Sequence, residues 1–122
     1  MIKARHKLFF NWFYYRFSVF AVRRHFSRFI LDVPEVDANK SLLVLCNHHT
    51  WWDGFWVLLV NKWVLHKRYH VMMLESQLKK HRSFANIGAF SIAGGRQQIL
   101  ESLNYAIDLL RSVDNMVLIF PQ

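Results

Sequence analysis

Four short and mainly apolar runs most constrain the fold of this chain. They are SLLVLC (41–46), YHVMMLE (69–75), IGAFSI (87–92) and NMVLIFP (115–121). Runs of this length are typical of strands that are buried on both faces, as in parallel sheets covered by helices. Each run is bounded by polar or turn-forming residues, which separates it from the next element.

The segments between these runs have helical character. The stretch from 53 to 67 is apolar on nearly every side, so several of its faces must contact protein or lipid. A polar segment beginning at SQLKKHRS (76–83) predicts a short helix. In the stretch from 97 to 112, apolar residues recur at helical spacing: Ile99, Leu100, Leu103, Ala106, Ile107 and Leu110. Alternating strands and helices predict an α/β fold, with a mixed or mostly parallel sheet and helical crossovers.

The positive charge of the chain is concentrated before residue 32. The net charge is +8, and residues 1–31 contain no acidic side chain. The basic residues there are Lys3, Arg5, Lys7, Arg16, Arg23, Arg24 and Arg28. The segment DVPEVDANK (32–40) is typical of a connector. We therefore predict two parts, a membrane-surface arm (1–31) and a single α/β domain (32–122), which suits a length of 122 residues.

The arm contains a dense aromatic stretch, LFFNWFYYRFSVFAV (8–22). Asn11 and Arg16 interrupt it, so it is too short and too polar to span a bilayer. It predicts an amphipathic helix in the membrane interface, with aromatic rings at headgroup level and basic groups on anionic lipid. The predicted contact residues are Phe9, Phe10, Trp12, Phe13, Arg16, Arg23 and Arg24.

Two alternatives remain open for the arm. The helix could pack on the domain core, or its basic and aromatic residues could bind nucleic acid. The rest of the chain has no recognised nucleic-acid motif, so we predict no nucleic-acid partner. Cys46 is the single cysteine and excludes an internal disulfide, which suits a reducing compartment. We expect peripheral or monotopic association with the cytoplasmic face of a membrane.

The segment LCNHHTWWDG (45–54) carries the candidate chemistry. Asn47 and His48 follow the first strand at its carboxyl edge, where open α/β sheets bind ligands. Asp53 begins the next helix and can meet His48 only if the chain between them folds back. The carboxylate would then orient the imidazole, leaving its other nitrogen to take a proton from a substrate hydroxyl. Alternatively, Asp53 is a helix N-cap, or Cys46, His48, His49 and Asp53 bind zinc.

Three motifs resemble those of the glycerolipid acyltransferases, the lysophosphatidic acid acyltransferase-like family. NHHTWWDG resembles the first signature, a histidine and an aspartate separated by four residues. GAFSI (88–92) resembles the second signature, and VLIFP (117–121) resembles the entry to the third. The motifs occur in the family's order across most of the predicted domain.

The resemblance implies transfer of a fatty acyl group from a coenzyme A or acyl-carrier-protein thioester to a lipid hydroxyl, commonly that of a lysophospholipid. It implies no other cofactor and no metal. His48 would be the general base and Asp53 its orienting partner. The implied substrate-binding residues are Asn47, Thr50, Gly88, Phe90, Ser91 and Arg96. Arg96 stands two residues beyond the family's usual arginine, and the alternatives are a plain surface arginine or an anion nest at Gly94 and Gly95.

The third signature stops at Gln122, before the glycine that usually follows it. We therefore expect a domain truncated at its C-terminus and poorly active by itself. We also expect an open apolar flank along the last strand and the 97–112 helix. The alternative function is a non-catalytic membrane-surface module with the same fold.

Overall fold

The fold is built on a four-stranded parallel sheet. A computed structural model describes residues 1–27, 32, 34–47 and 52–121. The strands are β1 (Leu42–Leu45), β2 (Arg68–Leu74), β3 (Ala89–Ile92) and β4 (Asn115–Ile119). Their spatial order is β1-β4-β2-β3, and every neighbouring pair is parallel. The predicted α/β fold is confirmed, and the described sheet is entirely parallel rather than mixed.

Helices connect the strands and cover both faces of the sheet. They are α1 (Leu8–His25), α2 (Asp53–Val60), α3 (Glu75–Lys80) and α4 (Arg96–Leu110). A π-helical turn (Asn61–Leu65) extends α2, and a 3₁₀ turn (Arg82–Asn86) follows α3. Side chains from α1, α2, α3 and the 3₁₀ turn form one core cluster on the sheet, whereas α4 forms a second. This two-sided cover explains why the strand sequences are apolar without alternation.

The expected open apolar flank is present on α4 but not on the last strand. Strand β4 inserts between β1 and β2, and its residues Met116, Val117 and Leu118 are fully buried, so the expectation was wrong for the last strand. It is confirmed for α4, which packs through Ser102 and Ala106 and leaves much of its apolar stripe exposed. The exposed residues are Ile99, Leu100, Leu103 and Ile107 on α4, with Leu43 and Leu45 on β1.

Helix α1 has one packed side and one exposed aromatic side. Ser18, Ala21 and Val22 are buried, and the Tyr14 hydroxyl hydrogen-bonds the Ser83 hydroxyl at 2.5 Å. The opposite side exposes large apolar side chains: Leu8, Phe9, Trp12, Phe13, Phe17 and Phe20. Within the described ranges, none of the helices is both long and apolar enough to cross a membrane.

Residues 1–7, which we call the N-terminal strap, run beside β3 and the 3₁₀ turn. The Ile2 amide donates to the Ser91 hydroxyl at 2.7 Å, and the Ser91 amide donates to the Ile2 carbonyl at 2.9 Å. The Arg5 and Lys7 amides donate to the carbonyls of Ala85 and Asn86. The bond from Ser91 satisfies a backbone donor at the outer edge of β3, an edge that would otherwise offer unpaired groups, and the bonds from Arg5 and Lys7 satisfy carbonyls of the 3₁₀ turn.

A pair of imidazoles holds the strap to the centre of the sheet. The Nε2 atoms of His6 and His70 lie 3.3 Å apart. His70 Nδ1 lies 3.0 Å from the Arg68 carbonyl and 3.1 Å from that of Met116, and carbonyls only accept, so Nδ1 carries the proton. His70 Nε2 is then the acceptor and His6 the donor. Burial, with smaller contributions from His70 and Arg68, lowers the pKa of His6 to about 4, and burial also lowers the pKa of His70.

We expect acid to destabilise the fold before the carboxylates titrate. An unfolded histidine binds a proton below its ordinary pKa of 6.5, whereas folded His6 does so only near 4. The free energy of unfolding should therefore be highest above pH 6.5 and fall as the pH drops towards 4. His6 should contribute on the order of 1 kcal/mol to this fall, since water reaches part of its ring.

Urea unfolding at pH 7.5 and at pH 4.5 measures this effect. The variant His6→Gln should show a smaller difference between the two pH values than the unmodified protein. His66→Asn, which removes an imidazole at an exposed position, is the comparison variant. An equal pH dependence in His6→Gln and the unmodified protein would show that the imidazole pair does not sense pH.

Candidate functional site

The segment that carries the candidate chemistry leaves the sheet at its carboxyl edge. Strand β1 ends at Leu45, and the Cys46 amide still donates to the Ile119 carbonyl of β4 at 3.1 Å. Asn47 follows and is exposed. The chain is described again from Trp52, and Asp53 is the first residue of α2. His48 and Thr50 lie outside the described residues.

The two ends of this segment lie near each other. Burial raises the pKa of the Cys46 thiol, and the nearby Asp53 carboxylate raises it further. Such an electrostatic effect requires that Asp53, at the start of α2, be close to Cys46, at the end of β1. The Cys46 thiol and the Asp53 carboxylate therefore lie close enough to interact. The same effect keeps Cys46 a neutral thiol, so it is a poor nucleophile at neutral pH.

The position of Asp53 excludes the alternative that this residue is the N-cap of α2. The residue before α2 is Trp52, so Asp53 is the first helical residue rather than the N-cap. A carboxylate in this first turn is stabilised by the positive end of the helix dipole. The helix therefore holds a negative charge at the carboxyl edge of the sheet, where the carboxylate could orient an imidazole.

Tyr69 of β2 supports the first turn of α2. Its ring is buried, and its hydroxyl donates to the carbonyl of Gly54, the residue after Asp53, at 3.1 Å. Burial raises the pKa of this phenol, and the neighbouring Cys46 raises it further, so the hydroxyl keeps its proton. Sequence reasoning missed Tyr69, because no spacing rule connects residue 69 to residue 54.

An apolar cavity of about 670 Å³ opens beside this turn. It extends from Gly54 along α2 to the last residues of three strands. Helix α2 contributes Gly54, Phe55 and Leu58 to its lining, and Tyr69 of β2 and Phe84 of the 3₁₀ turn lie there as well. The strand ends are Leu74, Ile92 and Ile119. An apolar cavity of this size suits a ligand with a hydrocarbon chain.

The residues of the second motif lie away from Asp53. Strand β3 is the edge strand opposite β1, and with a strand spacing of about 4.8 Å the two edges are about 14 Å apart. Phe90 is fully buried against α4. Ser91 is also fully buried, and its polar atoms bond Ile2 and Ser102. The structure therefore does not bring Phe90 or Ser91 to the cavity.

Gly88 and Arg96 occupy opposite ends of this motif. Gly88 precedes β3 and has a φ of +106°, and a Cβ there would lie 2.0 Å from the Tyr69 carbonyl oxygen. It is a packing glycine at the amino edge of the sheet. Arg96 begins α4 at the carboxyl edge and is exposed, next to Gly95 with its φ of +107°. Of the second-motif candidates, Arg96 is the one that begins a helix at the carboxyl edge of the sheet, as Asp53 does.

The part of the chain that the structure describes contains no group of three side chains able to hold a metal ion. The zinc set considered from the sequence includes His48 and His49, which lie outside that part. Comparisons of the chain with protein-family models, with curated proteins and with solved structures find no match. The resemblance to acyltransferases therefore rests on the three sequence motifs.

Proposed function

We propose that this protein is an O-acyltransferase that moves a fatty acyl group from a coenzyme A or carrier-protein thioester to a lipid hydroxyl, with a lysophospholipid as the first acceptor to test. The observation that carries the proposal is the apolar cavity that begins at Gly54, the residue after Asp53 in the first turn of α2. A cavity of about 670 Å³ is within the usual size of ligand sites.

In the proposed reaction, His48 acts as the general base. The Asp53 carboxylate accepts a hydrogen bond from one imidazole nitrogen, and the other nitrogen takes the proton of the acceptor hydroxyl. The hydroxyl oxygen attacks the thioester carbonyl, the carbon–sulfur bond breaks, and the imidazolium returns its proton to the leaving thiolate. The products are an ester and a free thiol. The neutral Cys46 takes no covalent part.

Contacts between the cavity and α1 support a lipid substrate. Phe55 and Phe84 line the cavity, and both rings contact Tyr14, which lies on the packed side of α1. The outer side of this helix exposes aromatic rings of the kind that enter a membrane interface. We propose peripheral membrane association through α1, with the acyl chain entering the cavity beneath the helix.

An acyl-transfer assay tests the proposal. The complete gene product is incubated with an acyl-coenzyme A and vesicles containing lysophosphatidic acid, and thiol release and product lipid are measured. His48→Asn should lower the rate about a hundred- to ten-thousand-fold and leave vesicle binding intact. His66→Asn is the matched control, because His66 has a φ of +55°, a conformation that asparagine tolerates.

The second candidate, a non-catalytic membrane-surface module, is favoured by the exposed aromatic side of α1, which needs no reaction centre. Vesicle binding without thiol release by the unmodified protein would support this candidate and overturn the acyltransferase proposal. Thiol release that His48→Asn does not reduce would exclude His48 as the base.

Removing the Tyr69 hydroxyl should loosen the turn that carries Asp53. Tyr69→Phe retains the ring in the core and loses the bond to the Gly54 carbonyl, so the free energy of unfolding should fall by about 1 kcal/mol. The acyl-transfer kcat should fall several-fold while KM changes little, because the substituted atom acts through Asp53. Tyr105→Phe, which removes a hydroxyl bonded to the Ala4 amide, should leave kcat unchanged. Equal kcat values in both variants would contradict a positioning role for Tyr69.

A further inference from the structure

The fold brings basic residues from distant parts of the chain to one end of α1. The strap amides of Arg5 and Lys7 bond the carbonyls of Ala85 and Asn86 at 2.7 and 2.9 Å. Arg82 begins the same 3₁₀ turn, about one turn before Ala85. Helix α1 is held to this turn by the hydroxyl pair of Tyr14 and Ser83. Residues 5–7 and 82 are therefore neighbours in space although about 75 positions apart in the chain.

These basic side chains are accessible to a partner. Arg5, Lys7, Lys80 and Arg82 are exposed. Lys79 lies 3.7 Å from Glu75 and is partly neutralised by it, so we leave it out of the set. Because the backbone bonds hold the strap against the 3₁₀ turn, an anionic surface that contacts one of these segments is also close to the other.

These four basic residues adjoin a row of exposed aromatic rings on α1, which we call the apolar ridge. Phe9, Phe13 and Phe17 stack in sequence with ring centroids 6.4 and 6.5 Å apart. Phe9, Trp12 and Phe13 remain 65%, 60% and 46% exposed. A contiguous exposed apolar surface of this kind marks an interaction site. Basic groups at the start of the ridge, with Arg23 and Arg24 at its end, match a bilayer whose anionic headgroups surround an apolar interior.

We propose that Lys80 and Arg82, together with Arg5 and Lys7, form a composite contact surface for anionic phospholipid. This inference rests on the proposed membrane association of α1 and extends it to a segment of the α/β domain. Phe84, two residues after Arg82, lines the cavity. Docking of this surface would therefore hold the cavity next to the headgroups from which a lipid acceptor comes.

Vesicle sedimentation tests the composite surface without any assay of activity. The complete gene product is mixed with vesicles of phosphatidylcholine alone or with an equal part of phosphatidylglycerol. The double variant Lys80→Gln/Arg82→Gln should lose about ten- to thirty-fold in affinity for the anionic vesicles, since each basic group near the surface contributes a several-fold factor. The control Lys40→Gln/Arg111→Gln changes the net charge equally at exposed positions away from α1, and should retain the affinity within about twofold.

The other outcomes distinguish failure of the composite surface from failure of membrane association. Equal losses in both double variants, or no loss in Lys80→Gln/Arg82→Gln, would overturn the composite surface. Failure of the unmodified protein to bind either vesicle would overturn membrane association itself. Phe9→Ser/Trp12→Ser should weaken binding to both vesicle types, and a loss confined to anionic vesicles would contradict insertion of the ridge. Thermal unfolding of the exposed double variants should match that of the unmodified protein.

Discussion

Replacing Asp53 by asparagine is expected to reduce acyl transfer by about a hundred- to ten-thousand-fold. Asparagine fills the same volume, but its amide is neutral and cannot stabilise an imidazolium as a carboxylate does. Its NH₂ group can also favour the wrong imidazole tautomer. The effect should appear in kcat, because the interaction strengthens when His48 takes up the proton.

The loss of catalysis in Asp53→Asn must be separated from any loss of stability. Asp53 lies in the first turn of α2, where its interaction with the helix dipole contributes less than about 1 kcal/mol. Asp108→Asn is the matched control, since Asp108 is exposed on α4 and lies 3.6 Å from Arg111. Urea unfolding and the acyl-transfer assay should be run on both variants. An Asp53→Asn protein that retains more than a tenth of the activity would contradict the dyad.

Gly88→Ala is expected to be the most destabilising of the proposed variants. The new methyl group would lie 2.0 Å from the Tyr69 carbonyl oxygen, and the φ of +106° is unfavourable for any residue with a Cβ. The clash is with backbone in an internal strand, so neither partner can rotate away. We expect a loss of at least about 3 kcal/mol in the free energy of unfolding. The melting temperature should fall by on the order of 10 °C.

Gly94→Ala provides the control for this prediction. A Cβ at Gly94 would meet nothing within 4 Å, so the substitution should change stability little or raise it slightly. Thermal melts of both variants, followed by circular dichroism, measure the difference. The motif resemblance places Gly88 among the substrate-binding residues, whereas its position predicts that activity falls only as the folded fraction falls. A Gly88→Ala protein that melts like the unmodified one and loses activity would favour substrate binding.

The local structure was largely predictable from the sequence. The runs at 41–46, 87–92 and 115–121 each contain an observed strand, the 69–75 run overlaps β2, which begins one residue earlier, and the 97–112 periodicity marks α4. Burial on both faces requires an apolar residue at nearly every strand position, so the pattern carries the information locally. The sequence predicted less well which side of each element packs against the rest of the fold. The apolar stripe predicts the helix α4, but of that stripe Ala106 is buried, alongside the polar Ser102, whereas Ile99, Leu100, Leu103 and Ile107 are exposed.

The candidate site was likewise predictable only in part from the sequence. The histidine and aspartate motif and the helix that begins at Asp53 are visible in the sequence, because they depend on neighbours within a few positions. Strand order, the cavity, the Tyr69 bond to Gly54 and the burial of Ser91 were decided by tertiary structure alone. Four similarly apolar runs do not specify which of them lie side by side. Contacts between residues far apart in the chain form only after the sheet has assembled, and no local pattern records them.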